Sequence, residues 1–389
     1  MKDKVLSVVK EHFMIIVLVV VYILFTIGTK GSMFQPMQFN ALITQNAYVY
    51  ILASGMLMCM LTGGNIDLSC GSFVCFLGAI GSYFMMIKGL GTVPSILLML
   101  AIAVIYGCAL GYLVAYVNIP PWIATLAGYL AFRGLGTQIL SANSSTGSIS
   151  VKAQESFVDL FAGKLFKTKP GVLNMPCLAV GIAAAVIIVL LNITTRANRL
   201  KKGYEADTAQ AVAIKSVLEA AVIILVMYKL AMAGGIPTVL VWVAAVVLIY
   251  SFITEKTTIG RYFYVVGGNR EAAHLSGVNT KMIMFMAYLN MAVLTAVTTW
   301  VALSRFQAAN STAGTNYEMD AIAACVVGGV SAYGGEGKIM GMVVGGTLIG
   351  VINLGMSLVN WDANLQKVVK GVVLLGAVVF DILSKKRSK

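Results

Sequence analysis

The chain has 389 residues, of which 59% are hydrophobic, 39 are glycine and 11% are charged. A soluble domain is about 45–50% apolar with glycine counted in and about a quarter charged, so this composition excludes a string of soluble domains and indicates an integral membrane protein. The net charge of +13 does not mark a nucleic-acid binder, because the basic residues fall in short runs between apolar segments, as in the cytoplasmic loops of membrane proteins.

A membrane span needs about 20 mostly apolar residues. In chain order the candidates are Phe13–Thr29, Asn40–Leu61, Cys70–Ile87, Val93–Val117, Trp122–Leu140 and Val172–Thr194. After a polar stretch follow Ser216–Ala233, Pro237–Ile253, Met282–Leu303, Met319–Tyr333, Ile339–Val359 and Leu365–Leu383. The first of these follows Lys2, Lys4 and Lys10. It exceeds the roughly 7–15 residues of a signal-peptide core and has no small-x-small cleavage site after it, so it reads as a span. The expected fold is therefore all-α: one polytopic helix bundle over residues 1–389 with about 12 spans (10–12) and both termini cytoplasmic. That orientation places seventeen of the 28 basic residues inside, among them Arg196, Arg199, Lys201, Lys202, Lys215, Lys256, Arg261, Arg270, Lys281, Lys338 and the terminal Lys385, Lys386, Arg387 and Lys389, as the positive-inside rule requires.

Two spans are short, Cys70–Ile87 and Met319–Tyr333, and each adjoins a diglycine, Gly63-Gly64 and Gly334-Gly335. Removing both would put the basic loops 195–215 and 254–281 outside, so both are kept as crossings, partly broken. Paired interrupted segments in two halves of a chain point to a transport pathway. Gly107/Gly111, Gly341/Gly345 and Gly346/Gly350 give small faces for close helix packing. The external segment Ser141–Gly171, rich in Ser, Asn and Gly at its start, carries Lys152, Glu155, Asp159, Lys164, Lys167 and Lys169. It is too small for a receptor domain, and a loop of this length suggests a docking surface.

The loop 254–281 holds a self-contained signal. Asn269 suits an N-cap, Arg270–Ser276 allows two helical turns, and Gly277 suits a C-terminal stop. Ala272, Ala273 and Leu275 would fit a groove on a partner, and a loop helix lying on the membrane is the plainer alternative. No G-x-x-x-x-G-K-[ST] phosphate loop occurs, because Gly163-Lys164 and Gly337-Lys338 lack its spacing and hydroxyl. The chain is therefore not expected to hydrolyse ATP itself or to be an enzyme. Buried charge, which an ion-coupled carrier would need, is sparse. Asp67 suits a cap for the helix starting near Ser69, and Arg133 lies within a span. Lys215 and Glu219 form an i,i+4 pair, and Lys229 has the reach to snorkel outward. The six cysteines are read as small packing residues, and with only His12 and His274 a histidine metal site is not expected.

Four motifs together resemble the permease subunits of ATP-binding-cassette sugar importers of the ribose/xylose/galactose class, most nearly the multiple-monosaccharide and xylose permeases. They are LTGGNIDLSCGS (Leu61–Ser72), IPPWIATLAGYLAFRGLG (Ile119–Gly136), GRYFYVVGGNREAAHLSGVN (Gly260–Asn279) and VVGGVSAYGGEGKIMG (Val326–Gly341). Cys70 departs from the small aliphatic residue usual there. The resemblance implies that Gly268, Asn269, Arg270, Glu271, Ala272, Ala273, Leu275 and Gly277 form a helix that couples to a separate ATPase subunit, which carries ATP and Mg. It implies a translocation pathway near Gly63, Gly64, Asn65, Asp67 and Ser69. Docking of an extracytoplasmic sugar-binding protein would fall near Arg133, Lys152, Glu155 and Asp159. The implied partners also include a second permease chain, as a homodimer, and membrane lipid, but no nucleic acid, cofactor or metal. An ion-coupled secondary transporter acting alone is the alternative, with Asp67 as its carboxylate. A membrane-embedded enzyme lacks a catalytic cluster.

Overall fold

The computed structural model describes residues 13–205 and 208–386. The expected cytoplasmic basic residues Lys2, Lys4, Lys10, Arg387 and Lys389 lie outside that range. The helices, in chain order, are α1 (Phe13–Gly28), α2 (Pro36–Leu61), α3 (Cys70–Ser82, continued by a π turn over Tyr83–Ile87), α4 (Thr92–Ala115) and α5 (Pro121–Asn143). Next come β1 (Ser148–Ser150), α6 (Glu155–Ala162), β2 (Lys164–Leu165), α7 (Met175–Lys201), α8 (Ala209–Met232), β3 (Ile236–Pro237) and α9 (Thr238–Lys256). Two short helices, α10 (Thr258–Gly268) and α11 (Arg270–Leu275), precede α12 (Thr280–Phe306), β4 (Ala308–Asn310), α13 (Tyr317–Val327), α14 (Ile339–Leu358) and α15 (Ala363–Lys386).

The all-α reading holds. Eight helices among the described residues are long and apolar enough to cross a membrane: α2, α3 with its π turn, α4, α7, α8, α9, α12 and α14. The other four expected spans fall short in different ways. α1 has 16 residues, α5 is long but more polar, and α15 alternates apolar residues with Lys367 and Lys370. The expected span Met319–Tyr333 is α13, whose 11 residues reach about 16 Å at 1.5 Å each, half the hydrocarbon thickness.

α2 is the axis of the bundle, packed against α8, α9, α12, α13 and α14. Its sequence explains the position. Ala47, Ala53, Ser54 and Gly55 keep the helix thin, so that every residue from Ile51 to Leu61 is buried. Small residues set the other close crossings too. A Cβ on Gly107 of α4 would stand 2.8 Å from the Ala292 Cβ and 2.9 Å from the Leu289 Cα of α12, so glycine brings the two backbones together. Met, Leu and Cys side chains fill the remaining space, and all six cysteines are free thiols.

α7 and α8 form a hairpin at the periphery, joined to the body mainly through α2. Within it Lys215 and Glu219 approach to 4.0 Å as the i,i+4 spacing anticipates, and the Asn192 amide donates to Glu219 at 2.7 Å. Lys229 does not snorkel outward. It is buried, its ammonium donates to the Phe34 carbonyl at 2.8 Å and lies 3.5 Å from the centre of the Phe34 ring. The turn after α1 offers an acceptor and an aromatic face nearer than water.

The segment 141–171 is not structureless. β1 pairs antiparallel with β4, Ile149 opposite Ala309, and β2 pairs with β3, Leu165 opposite Ile236. Between them α6 buries Phe157 and Phe161, with the Phe161 ring 5.1 Å from that of Trp242 and 5.6 Å from that of Trp300. The pattern FVDLF puts both phenylalanines on one face of a helix. The segment thus forms a cap over one end of the bundle. The other end lies about 39 Å away along the 26 residues of α2.

Candidate functional site

Three diglycines from distant parts of the chain converge at the end opposite the cap. Gly63-Gly64 follows α2, Gly267-Gly268 closes α10, and Gly334-Gly335 lies between α13 and α14. The Gly335 N–H donates to the Leu61 carbonyl at 3.1 Å. Gly267 is pressed against the same carbonyl, and a Cβ on it would also stand 2.6 Å from the Gly335 nitrogen. A Cβ on Gly334 would meet the Gly63 backbone at 2.5 Å, and one on Gly335 the Gly268 backbone at 2.9 Å. Gly63, Gly64, Gly334 and Gly335 all have φ between +73° and +119°, where an L side chain is strained. The junction is made of main chain against main chain, and only glycine satisfies both its space and its dihedrals.

The predicted capped helix leaves directly from this node. The Asn269 side chain accepts from the Ala272 N–H at 2.9 Å, and Gly277, at φ +84°, closes α11 as its N–H donates to the His274 carbonyl. The local rules that anticipate this helix are the ones it obeys. Its faces are sorted otherwise than expected. Ala273 is fully buried against its own chain, while Arg270, Glu271 and Ala272 are exposed and Leu275 is 82% exposed. Leu275, not Ala273, is the apolar side chain offered outward. α10 behind it is anchored by Tyr264, whose hydroxyl donates to the Gly337 carbonyl at 2.9 Å. Burial raises the Tyr264 pKa above its ordinary value of 10, so the phenol stays protonated as a donor. A cavity of about 350 Å³ opens beside the node, with Thr62, Asn65, Asn118, Asn269 and Arg270 in its walls.

Beyond the node the chain turns into the bundle. The Asp67 carboxylate accepts from the Ser69 N–H at 2.8 Å and the Ser69 hydroxyl at 2.6 Å, and the Tyr106 hydroxyl donates to Ser69 at 2.8 Å. Asp67 is 1% exposed and holds Ser69, the N-cap residue of α3, so it acts at the helix start without being the cap itself. Asn65 bonds Thr62 and faces the cavity. The start of α3 meets the start of α13: a Cβ on Gly71 would overlap the Glu318 carboxylate and the Gly314 carbonyl. Two interrupted elements, one from each half of the chain, thus begin against one another inside the bundle.

Arg133 belongs to this interior. Its Nη1 donates to the Ser311 carbonyl at 3.0 Å and the Ala313 carbonyl at 2.8 Å, holding the segment that leads from β4 to α13. Lys152, Glu155 and Asp159 are exposed on the cap, with Asp159 paired to Lys167 at 3.1 Å. A second charged cluster escaped the sequence reading. Asp320, 3% exposed on α13, receives the Lys370 ammonium of α15 at 2.9 Å and the Tyr48 hydroxyl of α2, and Tyr48 stacks on Tyr317 with centroids 3.7 Å apart. Glu318, 2% exposed, has one carboxylate oxygen with no hydrogen-bond partner. The available signal was two carboxylates, at 318 and 320, opening an apolar run too short to span. Among the described residues no three His, Cys, Asp or Glu side chains group as a metal site.

Residues 38–378 match the family described as branched-chain amino acid transport system / permease component. The chain is 31% identical over 379 residues to the xylose transport system permease protein XylH of Haemophilus influenzae, covering 97% of each. Against XylH of Escherichia coli K12 the identity is 30%, over 96% of this chain and 92% of the relative. The ribose import permease protein RbsC of Escherichia coli K12 is 28% identical over 92% of this chain and 86% of its own length. No solved structure matches. The chain belongs to this family of transport-system permease components and is a multi-pass membrane protein.

Proposed function

We propose that the chain is the membrane-spanning subunit of an ATP-driven monosaccharide importer, passing a pentose or related sugar, delivered by an extracytoplasmic binding protein, between two copies of itself. A separate ATPase subunit supplies the energy and holds ATP and Mg. The carrying observation is that the exposed, capped α11 springs from a node that grips both interrupted elements. Gly267 touches Leu61 and the nitrogen of Gly335, so a displacement of α11 reaches the entries to α3 and α14 through rigid main chain. Leu275, with Arg270 and Glu271 beside it, presents an apolar anchor in a charged rim, suited to a cleft in the ATPase.

In this reading the node end faces the cytoplasm and the cap end faces out. The basic residues Arg196, Arg199, Lys201, Lys202, Lys256, Arg261, Arg270, Lys281 and Lys338 then fall inside, and cytoplasmic termini with ten to twelve crossings follow. Asn65 and the cavity beside it lie at the cytoplasmic mouth of the pathway. Arg133 positions the segment entering α13, and the binding protein meets the cap around Lys152, Glu155 and Asp159. A lone ion-coupled carrier would depend on an intramembrane carboxylate; Asp67 is spent on its own helix start and Asp320 on Lys370 and Tyr48, which leaves Glu318, with one unpartnered oxygen, as the group such a carrier would have to use.

The test is purification of the tagged chain from its native membrane, with identification of whatever remains bound, followed by uptake of labelled D-xylose and D-ribose with and without ATP. Stoichiometric ATPase and ATP-dependent uptake are expected, and Glu271→Lys should abolish uptake while membrane insertion stays intact. A chain that comes out alone and moves sugar on an ion gradient would overturn the reading.

A further inference from the structure

We propose that the tip of the α7–α8 hairpin binds the headgroups of anionic phospholipids and so pins this peripheral arm to the membrane surface at the node end. The inference rests on the membrane placement of the chain and not on what the chain carries.

The hairpin starts and ends at the cap. At its foot the Asn174 amide donates to the Thr168 hydroxyl at 3.1 Å, and the Gly171 N–H donates to the Met232 carbonyl, at the end of α8, at 2.9 Å. With its 27 residues α7 reaches about 40 Å from there, about 10 Å more than the hydrocarbon layer is thick. The sequence changes character where that layer ends. α7 is apolar from Met175 to Leu191 and from Asn192 reads NITTRANRLKK. Asn192 closes the hairpin at this level, its amide donating to the Ser216 hydroxyl at 3.2 Å and to Glu219 at 2.7 Å. Arg196 follows one turn beyond Asn192 and Arg199 two, which sets both guanidinium groups at headgroup depth.

The surroundings of the hairpin decide what meets this charge. Only 17% of the spanning window of α7 and 11% of that of α8 is buried within the chain, so the sides of the hairpin face lipid. Arg199, Lys201 and Lys202 are exposed, and beside them Leu200 is 51% and Ile214 63% exposed. Apolar side chains laid open among cations suit the boundary between acyl chains and headgroups, where each kind finds its partner. A helix C-terminus by itself favours cations in its last turn, whereas this set begins at Arg196, runs past the helix end to Lys202 and resumes at Lys215. The acids do not cancel it. Glu219 is engaged by Asn192 and Lys215, and the turn adds Glu205 and Asp207, the latter outside the described residues. A basic cluster of this size beside a membrane span attracts anionic lipid.

The experiment keeps the full chain in a neutral detergent and titrates it with phosphatidylglycerol or with phosphatidylcholine of the same acyl chains, bound lipid being counted by native mass spectrometry. Phosphatidylglycerol should bind the more tightly, and the preference should shrink as salt rises. Arg199→Gln/Lys201→Gln/Lys202→Gln should weaken phosphatidylglycerol about tenfold and leave phosphatidylcholine and the melting temperature as they were. Lys167→Gln/Lys169→Gln, on the cap, should change neither lipid. Equal affinity of the unsubstituted chain for the two lipids would overturn the proposal. An equal loss in the cap variant would reduce the effect to net charge and overturn the site. Displacement of phosphatidylglycerol by equimolar inorganic phosphate would overturn lipid as the source of the anion. Unchanged lipid affinity in the hairpin variant, with loss of a protein partner from the purified complex, would make the tip a protein-docking surface instead.

Discussion

The two ends of the bundle are held by different kinds of contact. At the node end, Leu61, Gly267 and Gly335 bring three main chains together with no side chain between them. At the cap end, Phe157 and Phe161 fill a pocket walled by Trp242 and Trp300, and short strands pair over it. A main-chain junction transmits displacement because nothing in it changes rotamer, whereas a side-chain junction can repack. In the proposed importer the node would transmit force and the cap would receive the binding protein, and loosening each end separately tests this.

The largest effect expected at the cap follows from removing its aromatic anchor. Phe161→Ala should cost about 3–5 kcal/mol, seen as a lower melting temperature and as protease cleavage within residues 141–171, with ATP hydrolysis by the complex retained. Loss of hydrolysis would break the division between the ends. Arg133→Met, between the two, leaves the Ser311 and Ala313 carbonyls without their charged donor and should cost about 3 kcal/mol. It should slow uptake without changing affinity for the binding protein. A large loss of that affinity would return Arg133 to the docking surface. The smallest effect belongs to Asp159→Asn, which removes an exposed pair with Lys167 worth less than about 1 kcal/mol. Melting should not move, and any change should be confined to binding-protein association and its salt dependence.

What was legible in the sequence follows the range of the interaction. The long apolar helices could be read because length and apolarity are local properties, and α11 could be read because Asn269 and Gly277 act within three residues of themselves. The diglycines were visible singly, but their meeting was not, since Gly63 and Gly334 are brought together only by the packing of α2 against α13 and α14. β1 and β4 likewise pair across about 160 residues, which hid the cap inside what reads as a polar loop. The charged interior is hidden from the sequence for a related reason. The acceptors of Arg133 and Lys229, the carbonyls of Ser311, Ala313 and Phe34, are main-chain atoms that no side-chain pattern announces. The 318–320 carboxylates are masked because the apolar run behind them has the composition of a span but only 11 helical residues.

The node's role is tested most directly by one pair of substitutions in adjacent residues. A Cβ at Gly267 collides with the main chain of Leu61 at the end of α2 and of Gly335 between α13 and α14, while a Cβ at Gly268 meets open space. ATP hydrolysed and sugar moved should therefore be measured together in the reconstituted complex for Gly267→Ala and Gly268→Ala. The account predicts that Gly268→Ala keeps the unsubstituted ratio and that Gly267→Ala continues to hydrolyse ATP while uptake falls to background. Equal, unimpaired coupling in both would contradict it.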